Sequence, residues 1–183
     1  MTVRQQWLAV CVVLLLVATG VMAGATLLKD ELFQVSVGSR APDFHAITLD
    51  STPVAKTIAD YRGEVVLINI WATWCGPCRI EMPSIQRLHE TYGPRGLKIV
   101  AVSVDSHGFE KVIRSFAQEY ALGFEILYDT SGVIQRDYQT TGVPETFIIG
   151  RDRVIRKKVI GATDWNSEAN RALIERLLAE QKS

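Results

Sequence analysis

The longest hydrophobic segment of the chain comes first and runs from Trp7 to Leu28 without a charged residue. At about 1.5 Å of rise per residue, a helix of this length measures roughly 33 Å, enough to cross a hydrocarbon core of about 30 Å. Arg4 precedes the segment, and Lys29 follows it. The pattern predicts one transmembrane helix over residues 7–28.

The basic N-terminal flank predicts how this helix is oriented. Positive charges favour the cytoplasmic side of a membrane, so we expect the N-terminus in the cytoplasm and the rest of the chain outside it, on the periplasmic side of the cell membrane. The predicted segments are a cytoplasmic N-terminus over 1–6, a signal-anchor over 7–28, a linker over 29–37 and an extracytoplasmic domain over 38–183.

A second interpretation of the N-terminal segment stays open. The small residues Ala23-Gly24-Ala25 fit the cleavage site of a secretory signal. The apolar run is longer than the usual signal core of about 7–15 residues, which favours an uncleaved anchor. Both interpretations export the domain.

Beyond residue 38 the chain alternates between short apolar strands and amphipathic helices. Strands are predicted at Phe44–Leu49, Val54–Lys56, Val65–Trp71, Lys98–Val104, Phe124–Tyr128, Thr146–Ile149 and Val154–Ile160. Helices are predicted at Cys75–Tyr92, Glu110–Tyr120, Val133–Tyr138 and Asp164–Leu178, with a single helical turn at Thr57–Tyr61. This order predicts an α/β domain with a mixed sheet, helices on both faces and a final antiparallel hairpin.

Composition and charge narrow the class of partner. The chain has 183 residues, which suits one domain plus the N-terminal helix. Its 20 basic and 20 acidic residues leave no basic excess, so we expect no nucleic-acid partner. A monomer is the default expectation.

Two cysteines, Cys75 and Cys78, stand where the strand Val65–Trp71 gives way to a helix. A thiol at a helix N-terminus meets unpaired N–H groups and the positive end of the helix dipole, and both favour the reactive thiolate. We expect Cys75, in the first exposed turn, to attack and the less accessible Cys78 to resolve the mixed disulfide. Gly76 keeps the approach open, and Pro77 suits the first turn because its missing N–H costs nothing there.

A Cys-x-x-Cys pair can also bind zinc, attach haem or form a structural disulfide. Zinc needs about four ligands, and His45, His89 and His107 form no second pair at ligand spacing. Arg79 stands where covalent haem attachment requires histidine. A two-residue loop removes little entropy from the unfolded chain. The sequence therefore predicts a redox-active disulfide, with no metal and no other cofactor.

The segment Trp74 to Cys78, Trp-Cys-Gly-Pro-Cys, resembles thioredoxin when it lies on a strand-to-helix turn. Pro83 stands where thioredoxins carry a proline inside the helix, and Val143-Pro144 resembles their cis-proline loop. The resemblance implies that Val143 offers its backbone to an extended substrate segment as an added strand. We expect Trp74 to shield the disulfide and contact partners.

Further features resemble the ResA/TlpA/CcmG (DsbE) group of membrane-tethered thioredoxin-like proteins. They are the Ala41-Pro42-Asp43-Phe44 opening, the N-terminal hairpin, the added helix over 110–120 and the segment 142–147. The resemblance covers nearly all of residues 38–180. It implies a thioredoxin fold with an N-terminal β-hairpin extension and an inserted helix. It also implies reduction of protein disulfides outside the cytoplasm, with a membrane thiol donor of the CcdA/DsbD type. Typical targets of the group are the haem-binding cysteines of apocytochrome c and copper-site cysteines in oxidase assembly.

The chain departs from these relatives at named positions. Asn69 replaces the buried aspartate of thioredoxin and cannot accept a proton, so it is either a satisfied buried amide or a catalytic group. Gly76 stands where ResA-type proteins often carry glutamate. Glu145 is either a group that tunes the site or recognises substrate, or a plain surface carboxylate. Glu64 and Glu81 are interpreted as solvated.

Two other functions stay open. Peroxiredoxins share the Ala-Pro-Asp-Phe opening, but Ile68 and Ala72 occupy the places where a peroxidatic cysteine is preceded by proline and by threonine or serine. A copper or haem chaperone would hold its cargo on the two thiolates, although the related copper chaperones space their cysteines one residue further apart. Gly76-Pro77 matches the reducing thioredoxins, so the reducing direction is predicted.

Overall fold

A computed structural model describes residues 3–27 and 35–180, and the chain divides into two units, residues 1–34 and 35–183. The first unit contains the helix α1 (Val3–Leu27). Its stretch Val3–Gly24 is long and apolar enough to cross a membrane, judged by length and composition alone. The predicted end of the transmembrane segment at Leu28 and most of the predicted linker lie outside the described residues.

The second unit is built on one sheet. Its strands are β1 (Ala46–Thr48), β2 (Ala55–Lys56), β3 (Val65–Trp71), β4 (Leu97–Ser103), β5 (Glu125–Tyr128), β6 (Glu145–Ile149) and β7 (Ile155–Ile160). Its helices are α2 (Gly76–Tyr92), α3 (Glu110–Glu119), α4 (Val133–Asp137) and α5 (Glu168–Ala179), with short 3-10 helices at Ile58–Tyr61 and Gly93–Arg95.

The seven strands lie in the order β2-β1-β5-β4-β3-β6-β7. Strands β3, β4 and β5 are parallel, whereas β6 runs antiparallel to β3, and β7 antiparallel to β6. The hairpin of β1 and β2 joins the other edge, antiparallel to β5. The mixed sheet and both hairpins were predicted from the apolar pattern.

The central strand β3 is buried along its whole length. Val65, Leu67 and Trp71 belong to a core cluster that also contains residues of α2, α3 and α5, whereas Val66 and Ile68 belong to a second cluster. Alternate residues of a strand point to opposite faces of the sheet. Because β3 is covered on both faces, its sequence reads as an apolar run interrupted by Asn69.

The last helix starts later than its pattern predicts. Helix α5 begins at Glu168, with Ser167 as its N-cap residue, instead of at Asp164. Trp165 is fully buried, and its backbone N–H donates to Ser84 Oγ at 3.0 Å. The preceding turn therefore serves to place Trp165 in the core, and the helix starts after it.

The folded unit also starts earlier than the predicted boundary at Gly38. Val35 is largely buried, and its N–H donates to the side-chain oxygen of Gln139 at 3.0 Å. Gly38 and Ser39 then exchange backbone hydrogen bonds with Ile155, at the outer edge of β7. The segment is therefore an integral part of the domain.

Candidate active site

Cys75 and Cys78 form a disulfide at the junction of β3 and α2. Cys75 is the N-cap residue of α2, and the backbone N–H of Cys78 points at Cys75 Sγ, 3.1 Å away. A backbone donor at a helix N-terminus stabilises a thiolate. The geometry therefore supports Cys75 as the nucleophile.

The disulfide is less accessible than the sequence predicts. Cys75 is only 4% exposed and Cys78 is fully buried. Cys78 is the less accessible of the two cysteines, as predicted, but the prediction that Cys75 lies in an exposed turn is wrong. Trp74 is 68% exposed, and a Cβ atom placed on Gly76 would meet nothing within 4 Å. Pro77 lies in the first turn of α2. The side on which Trp74 and Gly76 face solvent is therefore the open side beside Cys75.

The loop before β6 covers the disulfide. The peptide bond between Val143 and Pro144 is cis, as the resemblance to thioredoxin implies. The Val143 carbonyl oxygen lies 3.5 Å from Cys75 Sγ. A backbone segment at this distance can pair with an extended chain whose own disulfide lies over Cys75. The role of Val143 as the substrate platform stays a prediction.

Behind the disulfide, Asn69 takes part in a buried side-chain network. Its Nδ2 group donates to Glu81 Oε1 and to Thr146 Oγ1, both at 2.8 Å. Glu81 Oε2 accepts hydrogen bonds from Trp165 Nε1 at 3.1 Å and from the Thr163 backbone N–H at 3.4 Å. Asn69 is therefore a buried amide that donates to a carboxylate, but it is not fully satisfied, because its Oδ1 has no hydrogen-bond partner among the described residues.

The interpretation of Glu81 as a solvated carboxylate is wrong, because the structure leaves it 1% exposed. Burial raises the pKa of Glu81 from 4.5 to about 7, against the opposing effect of the hydrogen bonds from Asn69, Trp165 and Thr163. No salt bridge involves Glu81 within the part of the chain that the structure describes. A buried carboxyl group with a pKa near neutrality suits proton transfer.

Sequence spacing contained a signal for this position. Glu81 follows Cys78 by one helical turn and precedes Ile85 by another, so it lies on the inner stripe of α2. The negative charge of Glu81 favoured the opposite interpretation, a solvated side chain.

Glu64, for which the sequence also predicts a solvated carboxylate, is only partly exposed, and its Oε2 lies 3.9 Å from Arg151 Nη1. Pro83 lies inside α2 at the predicted position.

Glu145 is not a surface carboxylate, because its side chain is fully buried. Its Oε2 accepts the backbone N–H of Thr141 at 3.1 Å, and its Oε1 lies 3.0 Å from Lys158 Nζ. The other interpretation of Glu145, a group that tunes the site or recognises substrate, stays a prediction.

The comparison with protein families agrees with this geometry. Residues 37–158, which include the disulfide and the cis-proline loop, match the AhpC/TSA family. The chain belongs to the AhpC/TSA family.

Proteins of related sequence are named as thiol-disulfide oxidoreductases or as thioredoxin-like proteins. A thiol-disulfide oxidoreductase ResA of Oceanobacillus iheyensis is 37% identical over 153 residues, which cover 82% of this chain and 79% of that protein. The thioredoxin-like protein YneN of Bacillus subtilis is 38% identical over 159 residues, covering 86% and 91% of the two chains. A crystal structure of a putative thiol:disulfide interchange protein DsbE from Chlorobium tepidum superposes with a TM-score of 0.69 at 28% identity, covering 79% of this chain and 99% of that chain. The fold is thioredoxin-like.

The AhpC/TSA family name does not by itself decide between peroxide and disulfide chemistry. Ile68 and Ala72, at the places that carry proline and a hydroxyl residue in peroxidases, are both buried apolar side chains. They offer no hydroxyl group near Cys75.

Among the residues that the structure describes, no three His, Cys, Asp or Glu side chains are grouped to hold a metal ion. The expected absence of a metal and of any cofactor stays a prediction.

Proposed function

We propose that this protein is a thiol-disulfide oxidoreductase that reduces protein disulfides outside the cytoplasm. The observation that carries the proposal is the Cys75–Cys78 pair at the N-terminus of α2, with the Cys78 N–H on Cys75 Sγ and the Val143 carbonyl beside it. The relatives named ResA and DsbE support the same chemistry.

The reaction starts from the reduced enzyme. The Cys75 thiolate attacks one sulfur of a substrate disulfide, which forms a mixed disulfide and releases the other substrate sulfur as a thiolate. Cys78 then loses its proton and attacks Cys75 Sγ. The Cys75–Cys78 bond forms, and the second substrate thiol leaves. Two electrons have moved from the enzyme to the substrate.

Glu81 is the group we infer to accept the proton of Cys78. Both side chains are buried, and they stand one turn apart on α2, where side chains of a helix are neighbours. With a pKa of about 7, Glu81 takes up and returns a proton at little cost near neutral pH. Asn69 and Trp165 hold its carboxylate in place.

The enzyme is reduced again by a membrane thiol donor of the CcdA/DsbD type, whose own dithiol becomes a disulfide. The apolar stretch Val3–Gly24 supports a single-pass anchor, and Arg4 near its start supports an N-terminus in the cytoplasm. We infer that the substrates are proteins such as apocytochrome c, whose haem-binding cysteines must be reduced during cytochrome c maturation, or proteins of oxidase assembly.

A trapping experiment tests the proposal. Cys78→Ser leaves Cys75 able to form mixed disulfides but unable to resolve them, so partner proteins should stay covalently bound in cells and be identifiable by mass spectrometry. Cys75→Ser is the matched control and should trap nothing. Equal recovery from both variants, or none from either, would show that Cys75 is not the attacking thiol.

The direction of electron flow has its own test. A reductant should have a potential near that of thioredoxin, about −270 mV, whereas an oxidant should lie near DsbA, at about −120 mV. Insulin reduction should exceed peroxide turnover by the same protein. A potential near the DsbA value, or faster peroxide turnover, contradicts the proposed function, and so does stoichiometric copper retention by the reduced protein.

A further inference from the structure

The loop that carries Val143 and Pro144 is tied together by the side chain of the residue that follows it. Glu145 Oε2 accepts the backbone N–H of Thr141 at 3.1 Å. The carboxylate therefore connects the residue after the loop with Thr141 at the start of the loop. The Pro144 carbonyl also accepts the backbone N–H of Gly161 at 2.8 Å. These two contacts fix the backbone on either side of the platform.

This tie depends on a carboxylate that is fully buried. An isolated carboxylate loses much of its hydration when it is buried, so it needs a counter-charge or several donors. Lys158 Nζ lies 3.0 Å from Glu145 Oε1. In the parts of the chain that the structure describes, no other cation forms a salt bridge with Glu145.

The position of Lys158 is itself determined by two further neighbours. It lies on β7 opposite Phe147 of β6, and its ammonium group is 5.4 Å from the centre of the Phe147 ring. Its Nζ also donates to the Val35 carbonyl at 3.2 Å, and its side chain is 21% exposed. The cation can therefore balance Glu145 while it keeps contact with water.

We propose that Lys158 is a positioning residue for substrate binding, acting through Glu145 on the backbone of Val143. The inference rests on the proposed function, because it assumes that Val143 pairs with an extended segment of a protein substrate. Without Lys158 the buried Glu145 side chain lacks its counter-charge, so it draws the loop toward water. This displacement weakens the bond from Thr141 and loosens the platform, while the disulfide itself is untouched.

The geometry predicts an effect that depends on the size of the substrate. A protein disulfide binds through its backbone, whereas a small disulfide such as 5,5′-dithiobis(2-nitrobenzoate) offers no strand to pair with. Lys158→Met should therefore raise the KM for insulin about ten-fold with little change in kcat, since small displacements of a positioning group have large effects. The rate with the small disulfide should change by less than about two-fold.

The chain offers a matched control on the same strand. Lys157 precedes Lys158 and points to the other face of the sheet, where its Nζ donates to Asn170 Oδ1 at 2.6 Å. Lys157→Met removes the same charge and should leave both substrates unaffected. Gln139→Asn shortens the side chain that holds the Val35 N–H, and it separates any effect of the Val35 contact from that of Glu145.

The full chain in detergent micelles, reduced by dithiothreitol, is assayed with insulin and with the small disulfide. Glu145→Gln/Lys158→Met removes both charges and should bring the KM for insulin back to within about three-fold of wild type, because the neutral amide needs no counter-charge. If Lys158→Met does not fold, Glu145→Ala, which deletes the tie to Thr141, should show the same selective rise.

An unchanged KM for insulin in the folded single variant would overturn the inference, and so would equal losses with both substrates. Wild-type protein that reduces the small disulfide but not insulin would instead contradict the proposed function. The two failures are therefore distinguishable.

Discussion

Replacing Glu81 by glutamine should change how the stability of the protein depends on pH. The carboxyl group is buried, and its pKa rises from 4.5 to about 7 on folding. A raised carboxyl pKa means that the folded state holds its proton more tightly than the unfolded state. Stability is therefore lost as pH rises from about 4.5 to about 7, and the full cost remains above that range. Glutamine has no such transition.

The size of the effect follows from the two pKa values. Between pH 5 and pH 8 the ionisation of Glu81 should cost the folded state about 2–3 kcal/mol, out of a limit of about 3–4 kcal/mol. Glu81→Gln also replaces an acceptor of Trp165 Nε1 or Asn69 Nδ2 by an amide donor. The loss of that hydrogen bond is the same at every pH, so it shifts the whole curve of unfolding free energy against pH. The slope of the curve therefore reports the ionisation of Glu81 alone.

The assay is urea unfolding of the oxidised full-length protein in micelles, followed by tryptophan fluorescence at pH 5, 6, 7 and 8. The difference in unfolding free energy between variant and wild type should rise by about 2–3 kcal/mol across this range, in favour of the variant. A difference that stays constant with pH would mean that Glu81 ionises in the folded protein as it does in water. A falling difference would mean that the carboxylate is stabilised, and either result refutes the reasoning.

Three further predictions concern other buried side chains of the domain. Trp165→Phe deletes the Nε1 donor to Glu81 and should move the upper end of the pH-dependent stability loss upward by about one pH unit, measured by the same urea titrations. Asp105→Ala leaves the N–H and hydroxyl of Thr73 and the hydroxyl of Ser103 without their acceptor. It should cost about 2–4 kcal/mol, and a loss under 1 kcal/mol would contradict the burial argument. Phe147→Ala should cost about 3–5 kcal/mol in the same measurement, because the side chain is fully buried.

The sheet could be predicted from the sequence because its strands are short apolar runs separated by helical patterns. Strand β3 is the clearest case, since both of its faces are buried. The start of α5 could not be predicted in the same way. Asp164 is a good N-cap residue by type, but the burial of Trp165 moves the helix start to Glu168. Tertiary packing outweighs the local preference.

Some features of the site also follow from local sequence, whereas others depend on tertiary contacts. The roles proposed for Cys75 and Cys78 follow from local sequence, because a helix N-terminus is encoded beside them. The burial of Glu81 depends on Asn69 and Trp165, which are distant in sequence and meet it only in the folded chain. The pairing of Glu145 with Lys158 depends on the register of β6 and β7. Lys157 and Lys158 are equivalent in the sequence until that register is known.

The two buried carboxylates near the disulfide differ in one physical respect. Thr146 bonds to Asn69 on the face of the sheet that α2 covers, so Glu145, its neighbour in β6, points to the opposite face. Glu81, on the α2 side, is held by uncharged donors and has a pKa of about 7. Glu145 has the ammonium group of Lys158 beside it. Burial raises the pKa of Glu81, which suits proton exchange near neutral pH, whereas Glu145 lies beside a cation and accepts the backbone N–H of Thr141. This difference supports the division of roles proposed above, with proton transfer on the α2 face of the sheet and substrate positioning on the opposite face.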